Sequence, residues 1–278
     1  MRFGNGGRSP NLEDRRGMGG RVGMGIGGTA VVLILSLIFG RNLFDDIGVS
    51  PTTAVSSNGE LSAADSVREE PEVLFVSHVL DDAQQSWAAI LPKFGAPYHD
   101  AKLVLFRDAT QTGCGTGQTA MGPFYCPLDE KVYIDLGFYD ELRQNFGAPG
   151  DFAQAYVIAH ELGHHVQHLL GTDEQVRRAE QADPGTANQY SVRLELQADC
   201  YAGVWGYSAQ QRSLLSPGDL EEGLTAAASV GDDRILQKSG QRVNTDSFTH
   251  GSAAQRESWF KRGFESGDPR QCDTFAVR

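Results

Sequence analysis

The amino-acid sequence predicts an α+β domain preceded by one transmembrane helix. Strand-like alternation occurs only in the first half of the chain, at residues 102–106 (KLVLF) and 131–136 (KVYIDL), and four helical segments follow. A run of 19 uncharged residues precedes both strands. Hydrophobic residues make up 40% and charged residues 22% of the 278, which is usual for a chain that buries a core and excludes a disordered, collagen-like or multispanning protein.

The uncharged run, residues 22–40, has the length of a membrane span. At 1.5 Å per residue it covers about 28 Å, close to the hydrocarbon thickness of roughly 30 Å. Residues 1–21 carry a net charge of +3, whereas the whole chain carries −12. Because basic flanks stay inside, we expect a single-pass protein of the cell membrane, with residues 1–21 cytoplasmic and the domain extracytoplasmic. One alternative is a cleaved signal peptide, which is disfavoured because residues 40–42 match a signal-peptidase cleavage site poorly. The other alternative is a buried core helix.

Residues 41–72 resemble a flexible linker, because they are rich in Ser, Thr, Ala and acidic residues and contain Pro51 and Pro71. The folded domain is therefore expected to occupy residues 73–278. The acidic charge balance argues against a nucleic-acid partner. The sequence predicts no oligomeric state.

The helices are predicted from capping and breaking residues. The first begins at Asp81 or Asp82 and ends before Pro92, and residues 113–127 form a loop. Ser252 and Gln255 have capping-box spacing at the start of the last helix. The four C-terminal helices are expected at residues 151–170, 188–207, 217–230 and 252–265. The strand at residues 131–136 is either a sheet edge that accepts an extended peptide or a core strand.

The four cysteines fit an extracytoplasmic domain, in which disulfides form. Cys114 and Cys126 are close together in a Gly-rich stretch, so we favour that bridge, with Cys200–Cys272 as the second. Free buried thiols are the alternative. The absence of a CxxC motif from the sequence disfavours a cysteine zinc site and a thioredoxin-like redox motif.

The most informative segment is A-H-E-L-G-H-H, residues 159–165, within the helix predicted at 151–170. His160 and His164 are four residues apart, so both imidazoles face one side of a helix about 6 Å apart and can reach one zinc ion. Glu161 is placed to orient and deprotonate the water that zinc activates. The alternative is an ordinary pair of solvated or core histidines.

Catalytic zinc has three protein ligands and an open fourth position. Glu195, in the next helix, is the candidate third ligand. Asp199 lies one turn further on and is expected to accept the second N–H of a ligating histidine, which fixes its tautomer. Asp199 as the direct ligand and a plain acidic surface face are the alternatives.

Other polar residues have weaker patterns. His250, just before the last helix, is the candidate hydrogen-bond donor to the substrate carbonyl oxygen in the transition state. Tyr201 and Tyr190 are alternative donors. The competing interpretation of His250 is a capping or core role.

His168 is about 12 Å along the helix from His160, too far to share a zinc ion. His165 points off the ligand face and is expected to be exposed or capping. The sequence shows no partner pattern for His78 or His99, and Glu174 and Glu180 are interpreted as surface residues.

These residues resemble the neutral zinc metallopeptidase family of bacterial membrane proteins. The matching segments are NLEDRR (11–16), GPFYCP (122–127), AHELGHHVQ (159–167), ELQADCYAGVW (195–205), THGSAAQR (249–256) and WFKRGFESG (259–267). The resemblance implies a zincin-like fold and a zinc-dependent peptidase with a gluzincin-like site. It implies that His160, His164 and Glu195 bind zinc and that Glu161 is the general base.

The sequence therefore predicts a membrane-anchored zinc metalloendopeptidase acting on a protein or peptide substrate. Zn²⁺ is the expected cofactor. Two hypotheses compete with this one: a non-catalytic, zinc-stabilised binding or scaffold domain, and a metal-free adhesion domain held together by disulfides. The intact Glu161 argues against the scaffold, which needs no base at that position.

Overall fold

The computed structural model describes residues 1–4, 6–17 and 62–276, and their fold is α+β, as predicted. The described strands are β1 (Leu12–Asp14), β2 (Lys102–Phe106), β3 (Ala109–Thr112), β4 (Gly115–Gln118), β5 (Phe124–Cys126) and β6 (Lys131–Asp135). The described α-helices are α1 (Ala63–Ile90), α2 (Gly137–Gln144), α3 (Asp151–Leu169), α4 (Thr172–Ala182), α5 (Ala187–Gln211), α6 (Asp219–Ser229), α7 (Asp232–Lys238) and α8 (Ala253–Ser266).

A four-stranded sheet, in the order β1-β2-β6-β5, forms the N-terminal part of the domain. β1, β2 and β6 are parallel, and β5 is antiparallel to β6. The side chains of β2 from Leu103 to Phe106 are all buried, as expected for a central strand covered on both faces. β6 is also central, so of the two alternatives for residues 131–136 the core strand is the one present, and the sheet edge is not. β5 is the edge strand on that side, and β3 and β4 form a separate hairpin.

The helix α1 begins much earlier than predicted. It is 28 residues long, with Ser62 as its N-cap, so residues 63–72 belong to the domain and not to a linker. Pro71 lies inside this helix instead of ending a linker. Buried apolar side chains recur every three or four residues from Val73 to Trp87 and form one stripe against the core. The polar first turns concealed this pattern in the sequence.

The basic N-terminal segment is part of the domain. β1 pairs in parallel with β2, placing Leu12 opposite Leu103. Arg16 follows the strand, and its side chain is fully buried between Asp14 (2.7 Å) and Glu69 of α1 (2.7 Å). The guanidinium lowers the pKa of the Asp14 carboxyl, against the effect of burial. The description of residues 1–21 as a separate cytoplasmic segment is therefore corrected.

The predicted localisation is wrong. It required the N-terminus and the domain to lie on opposite sides of a membrane, whereas β1 is a strand of the domain's own sheet. No helix in the described ranges has the length and apolar character needed to cross a bilayer. The run at residues 22–40, predicted as the anchor, lies outside the described residues.

The C-terminal half is helical, with α5 at its centre. Helix α8 packs on α5 with almost no gap: a Cβ added to Gly203 would lie 2.1 Å from the Phe260 carbonyl oxygen, and one added to Gly263 would lie 1.9 Å from that of Cys200. A disulfide joins Cys200 to Cys272 beyond α8, and a second joins Cys114 to Cys126. Both bridges have the pairing that the sequence analysis favoured.

The remaining differences concern short elements. Helix α6 starts at Asp219, two residues later than predicted. Gly218, which precedes it, has a left-handed backbone at φ +98° and is not helical. The predicted loop at residues 113–127 contains β4 and β5, and the sequence analysis missed α2, α4 and α7. The capping box of Ser252 and Gln255 at the start of α8 is present as predicted.

Arg16→Ala is expected to destabilise the domain, because Asp14 and Glu69 lose their buried partner and keep only the more exposed Arg8 and Arg107. Since these two arginines still compensate the carboxylates, the free energy of unfolding should fall by about 1 to 3 kcal/mol, less than for an isolated buried pair. Urea unfolding followed by circular dichroism measures this change. Arg68→Ala is the control, because Arg68 is exposed and its loss should alter stability by less than about 0.5 kcal/mol. Equal effects of the two substitutions would contradict the structural role of Arg16.

Candidate metal centre

Helices α3 and α5 bring together the three predicted metal ligands. One side-chain atom each from His160, His164 and Glu195 lies within 4.8 Å of the other two. The Glu195 carboxylate faces both rings: Oε2 is 3.1 Å from Nε2 of His160, and Oε1 is 3.4 Å from Nε2 of His164. The histidine rings are perpendicular, with centroids 4.8 Å apart. Three donor atoms therefore surround one small volume between the helices.

The two helices meet at Gly163, between the histidines. A Cβ at this position would lie 3.0 Å from the Ala198 carbonyl oxygen, so α5 would have to shift by a few tenths of an ångström to admit an alanine. Glu195 lies less than one turn before Ala198. The glycine in H-E-L-G-H thus allows the close approach that brings Glu195 to the histidines.

Asp199 bonds to the nitrogen of His160 that faces away from Glu195. Its Oδ1 is 2.9 Å from Nδ1 of His160, the contact predicted from the sequence. The same carboxylate accepts hydrogen bonds from the Arg256 guanidinium at 2.8 and 2.9 Å and from the Tyr156 hydroxyl. Asp199 is fully buried. This network orients His160 with Nε2 towards the centre, as a carboxylate partner does for metal-binding histidines.

The site is strongly charged in the absence of a metal ion. Burial lowers the pKa of His160, but Asp199 and Glu195 outweigh this effect and raise it to about 10. Burial likewise acts to raise the pKa of the Glu195 carboxyl, yet the two histidines hold it well below its usual range. A metal cation at the centre would take the place of the proton on His160, because ligands bind metal in their deprotonated form.

A chain of buried amides orients His164. Its Nδ1 is 2.8 Å from Oε1 of Gln167, whose Nε2 donates to the Leu194 carbonyl (2.7 Å) and to Oε1 of Gln197 (3.1 Å). Gln197 in turn donates to the Cys272 carbonyl at 3.0 Å. Since the Gln167 amide oxygen only accepts, His164 carries its proton on Nδ1 and turns Nε2 to the centre. The chain thus connects a metal-facing ring to the Cys200–Cys272 bridge.

Glu161 is nearly buried beside His160, and burial raises the pKa of its carboxyl. No group in the described part of the chain donates a hydrogen bond to this carboxylate. Every other carboxylate at the centre is engaged by a cation or a hydroxyl. Glu161 is therefore the acid group that remains available for a proton from a bound molecule.

His250 lies in a loop that Asp232 holds in place. Oδ2 of Asp232 accepts the backbone N–H groups of Thr249 (2.8 Å), His250 (2.7 Å) and Gly251 (3.0 Å). Oδ1 of the same residue lies 3.2 Å from Nδ1 of His250. Burial lowers the pKa of the His250 imidazole, while Asp232 and Glu195 raise it more, which gives a net increase. The contact with Asp232 occupies Nδ1, so Nε2 is the imidazole nitrogen that this carboxylate leaves free.

The structure also shows the surroundings of three other residues that the sequence analysis discussed. His165 was expected to be exposed or capping, but it is fully buried, with its nitrogens on the Tyr125 hydroxyl (3.0 Å) and the His99 carbonyl (2.8 Å). Tyr201, an alternative oxyanion donor, is buried against Trp87 with ring centroids 5.3 Å apart. Glu174 is exposed and pairs with Arg178, as expected for a surface residue.

The sequence analysis missed four residues that hold the metal ligands or His250 in place. They are Tyr156, Gln167, Asp232 and Arg256. Gln167 had a usable signal, because it lies three residues after His164 on the same helix and side chains at that spacing meet. Arg256 and Asp232 lie far from their partners in sequence and carried no local signal.

Two imidazoles and one carboxylate form a donor set that catalytic zinc sites use, with a fourth position left for water or substrate. Each donor points inward, and both histidines have a hydrogen-bond acceptor on the opposite nitrogen. The residues present therefore fit a zinc ion.

Comparisons with known proteins show relatives along most of the chain. The Escherichia coli (strain K12) protein YpfJ is 50% identical over 277 residues, which cover 96% of each chain. The Mycobacterium tuberculosis (strain H37Rv) protein Rv2575 is 47% identical over 202 residues, covering 69% of this chain and 66% of its own. Neither name states an activity, and no solved structure matches the chain. The model of the family described as "Putative neutral zinc metallopeptidase" matches residues 1–275, and the chain belongs to that family.

Proposed function

We propose that this protein is a zinc-dependent metallopeptidase that hydrolyses peptide bonds in a protein or peptide substrate. The observation that carries the proposal is the convergence of His160, His164 and Glu195, with the nearly buried carboxyl group of Glu161 beside them. Family membership supports the same reaction class.

His160, His164 and Glu195 would hold the zinc ion through Nε2, Nε2 and the carboxylate. When bound, zinc supplies Lewis-acid chemistry: it polarises a carbonyl group and lowers the pKa of a water molecule. Asp199 and Gln167 keep the two rings oriented, so that the donor atoms need no rearrangement when the ion enters.

Glu161 acts as the general base in this proposal. Its carboxylate takes a proton from the attacking water and delivers it to the nitrogen of the departing amine. The absence of a donor to this carboxylate within the described residues leaves its oxygens available for that transfer. A carboxylate in this role contributes roughly 10²- to 10⁴-fold to the rate.

His250 is the proposed donor to the carbonyl oxygen as negative charge develops there. Asp232 accepts the Nδ1 proton and helps to raise the pKa of the imidazole, and the protonated ring carries a second proton on Nε2 that it can donate to the substrate. A donor already held in position stabilises the transition state without reorganisation.

Glu161→Gln should abolish peptide hydrolysis while retaining about one zinc ion per chain, because the amide cannot accept the proton and Glu161 is not a ligand. Glu195→Ala should lose zinc as well as activity. Elemental analysis of purified protein and cleavage of a peptide library measure the two properties. Metal without turnover in the unsubstituted protein would instead favour a zinc-stabilised binding domain, and loss of zinc in Glu161→Gln would contradict its assigned role.

Gln167→Leu should weaken zinc binding by roughly 10- to 100-fold, since His164 loses the acceptor that orients its ring. Gln167→Glu keeps an acceptor for Nδ1 of His164 and should retain tighter binding than the leucine variant. Competition with a chromophoric chelator measures both affinities, and circular dichroism monitors folding. Equal losses in the two variants would show that Gln167 supports packing only.

His250→Ala should lower kcat by roughly 10²-fold and change KM little, as expected when a donor acts mainly in the transition state. Zinc content should stay unchanged. Steady-state kinetics on a cleaved peptide test this expectation. A rise in KM with kcat unchanged would assign His250 to ground-state substrate binding instead.

A further inference from the structure

The segment that follows α8 contacts the metal centre through two buried glutamines. After α8 the chain makes a short 3₁₀ turn, Pro269–Cys272, and Cys272 is bonded to Cys200 of α5. The carbonyl group of Cys272 accepts a hydrogen bond from Nε2 of Gln197 at 3.0 Å. Both cysteines and Gln197 are buried. The disulfide therefore fixes a backbone acceptor in the interior, against a side chain that belongs to the amide chain behind His164.

The direction of the hydrogen bonds along this chain decides which nitrogen of His164 faces the metal. A side-chain amide has an oxygen that only accepts and an NH₂ group that donates twice. Gln167 uses both of its N–H groups, on the Leu194 carbonyl at 2.7 Å and on Oε1 of Gln197 at 3.1 Å. Its oxygen is therefore the atom that faces Nδ1 of His164, at 2.8 Å. Nε2 of His164 then keeps its lone pair for a metal ion.

The Cys272 carbonyl sets the direction of Gln197 in turn. With that acceptor in place, the NH₂ group of Gln197 faces Cys272 and its oxygen faces Gln167. Without it, the amide of Gln197 can turn over and present its NH₂ group to the NH₂ group of Gln167, which leaves buried donors without acceptors. Only the Leu194 carbonyl would then hold the oxygen of Gln167 towards His164.

We propose that Cys272, held by its bridge to Cys200, is a positioning residue for the metal ligand His164, so that zinc affinity depends on the oxidised state of this cysteine pair. The proposal rests on the zinc centre of the proposed function. It deepens that function by adding a condition for tight metal binding: the two thiols must be joined before the amide chain has its full set of acceptors.

Formation of the bridge is a two-electron oxidation. The two thiols of Cys200 and Cys272 lose two protons and two electrons as the S–S bond forms, and a disulfide oxidant takes them up by exchange and becomes two thiols. Because both cysteines are fully buried, the bridge closes while the chain folds and is then out of reach of reductants. A chain that folds with the two thiols reduced binds zinc more weakly.

The other disulfide provides a matched control. Cys114–Cys126 joins the tip of the β3–β4 hairpin to the edge strand β5, and Cys114 is exposed. Among the residues that the structure describes, neither of these cysteines is hydrogen-bonded to a member of the amide chain. Removal of this bridge should therefore leave the orientation of His164 unchanged.

The test measures the zinc affinity of the full chain by competition with a chromophoric chelator, with circular dichroism to monitor folding. Cys200→Ala combined with Cys272→Ala should bind zinc roughly 10-fold more weakly than the unsubstituted protein, the lower end of the loss expected for groups that support a metal ligand. Gln197→Leu should show a similar loss. Cys114→Ala combined with Cys126→Ala should retain the affinity of the unsubstituted protein.

A triple variant separates positioning of His164 from a general loss of rigidity. If the bridge acts through Gln197, adding Gln197→Leu to the chain without Cys200 and Cys272 should weaken zinc binding by less than about 2-fold more, because the two changes interrupt one path. A further loss of roughly 10-fold would mean that the bridge and Gln197 act separately, and would overturn the proposal.

Two other results would also overturn it. One is an unchanged zinc affinity in the chain that lacks the Cys200–Cys272 bridge. The other is an unchanged affinity in Gln197→Leu, which is decisive even where the bridge-free chain does not fold, because the bridge then has no path to His164. Absence of zinc from the unsubstituted protein would overturn the proposed function as well, whereas zinc held equally tightly by all variants would overturn this proposal alone.

Discussion

The arrangement of the helical half depends on the buried carboxylate of Asp199. A charge without solvent is stable only when it is paired and fully hydrogen-bonded. Asp199 meets this requirement with Arg256 from α8 and with Tyr156 and His160 from α3. Three helices must therefore be correctly packed before this one side chain is satisfied. The same requirement fixes the ring of His160, so the stability of the fold and the geometry of the metal centre depend on the same contacts.

Close backbone approach makes this network possible. Gly163 admits α5 against α3, and Gly203 and Gly263 admit α8 against α5. An added methyl group at Gly203 or Gly263 would overlap a carbonyl oxygen of the facing helix, so these helices would separate, and one at Gly163 would be tight against α5. Separation would move Arg256 away from Asp199 and Glu195 away from the histidines. These glycines contribute to the site although none of them lies among its polar groups.

The sequence predicts the metal ligands better than it predicts the residues that hold them in place. H-E-x-x-H has helical spacing, so the chain's local periodicity suffices to predict that His160 and His164 share a face. Glu195 and Asp199 follow from the same periodicity in the next helix. Arg256 satisfies a carboxylate 57 residues earlier, and no local pattern predicts such a partner. The amide chain from Gln167 is similar, because neutral polar side chains have many equivalent partners until the fold selects one.

By itself, the sequence determined the α+β class, the strand at residues 102–106, the helix that carries the histidines and the favoured cysteine pairing, because each depends on periodicity or proximity along the chain. Only the tertiary structure decided which strands lie at the edge and that the N-terminal segment joins the sheet. The charge asymmetry suggested opposite sides of a membrane, yet Arg16 has its partner in α1. Charge composition is a property of the sequence, whereas the partner of each charge is set by burial, and burial arises only from long-range packing.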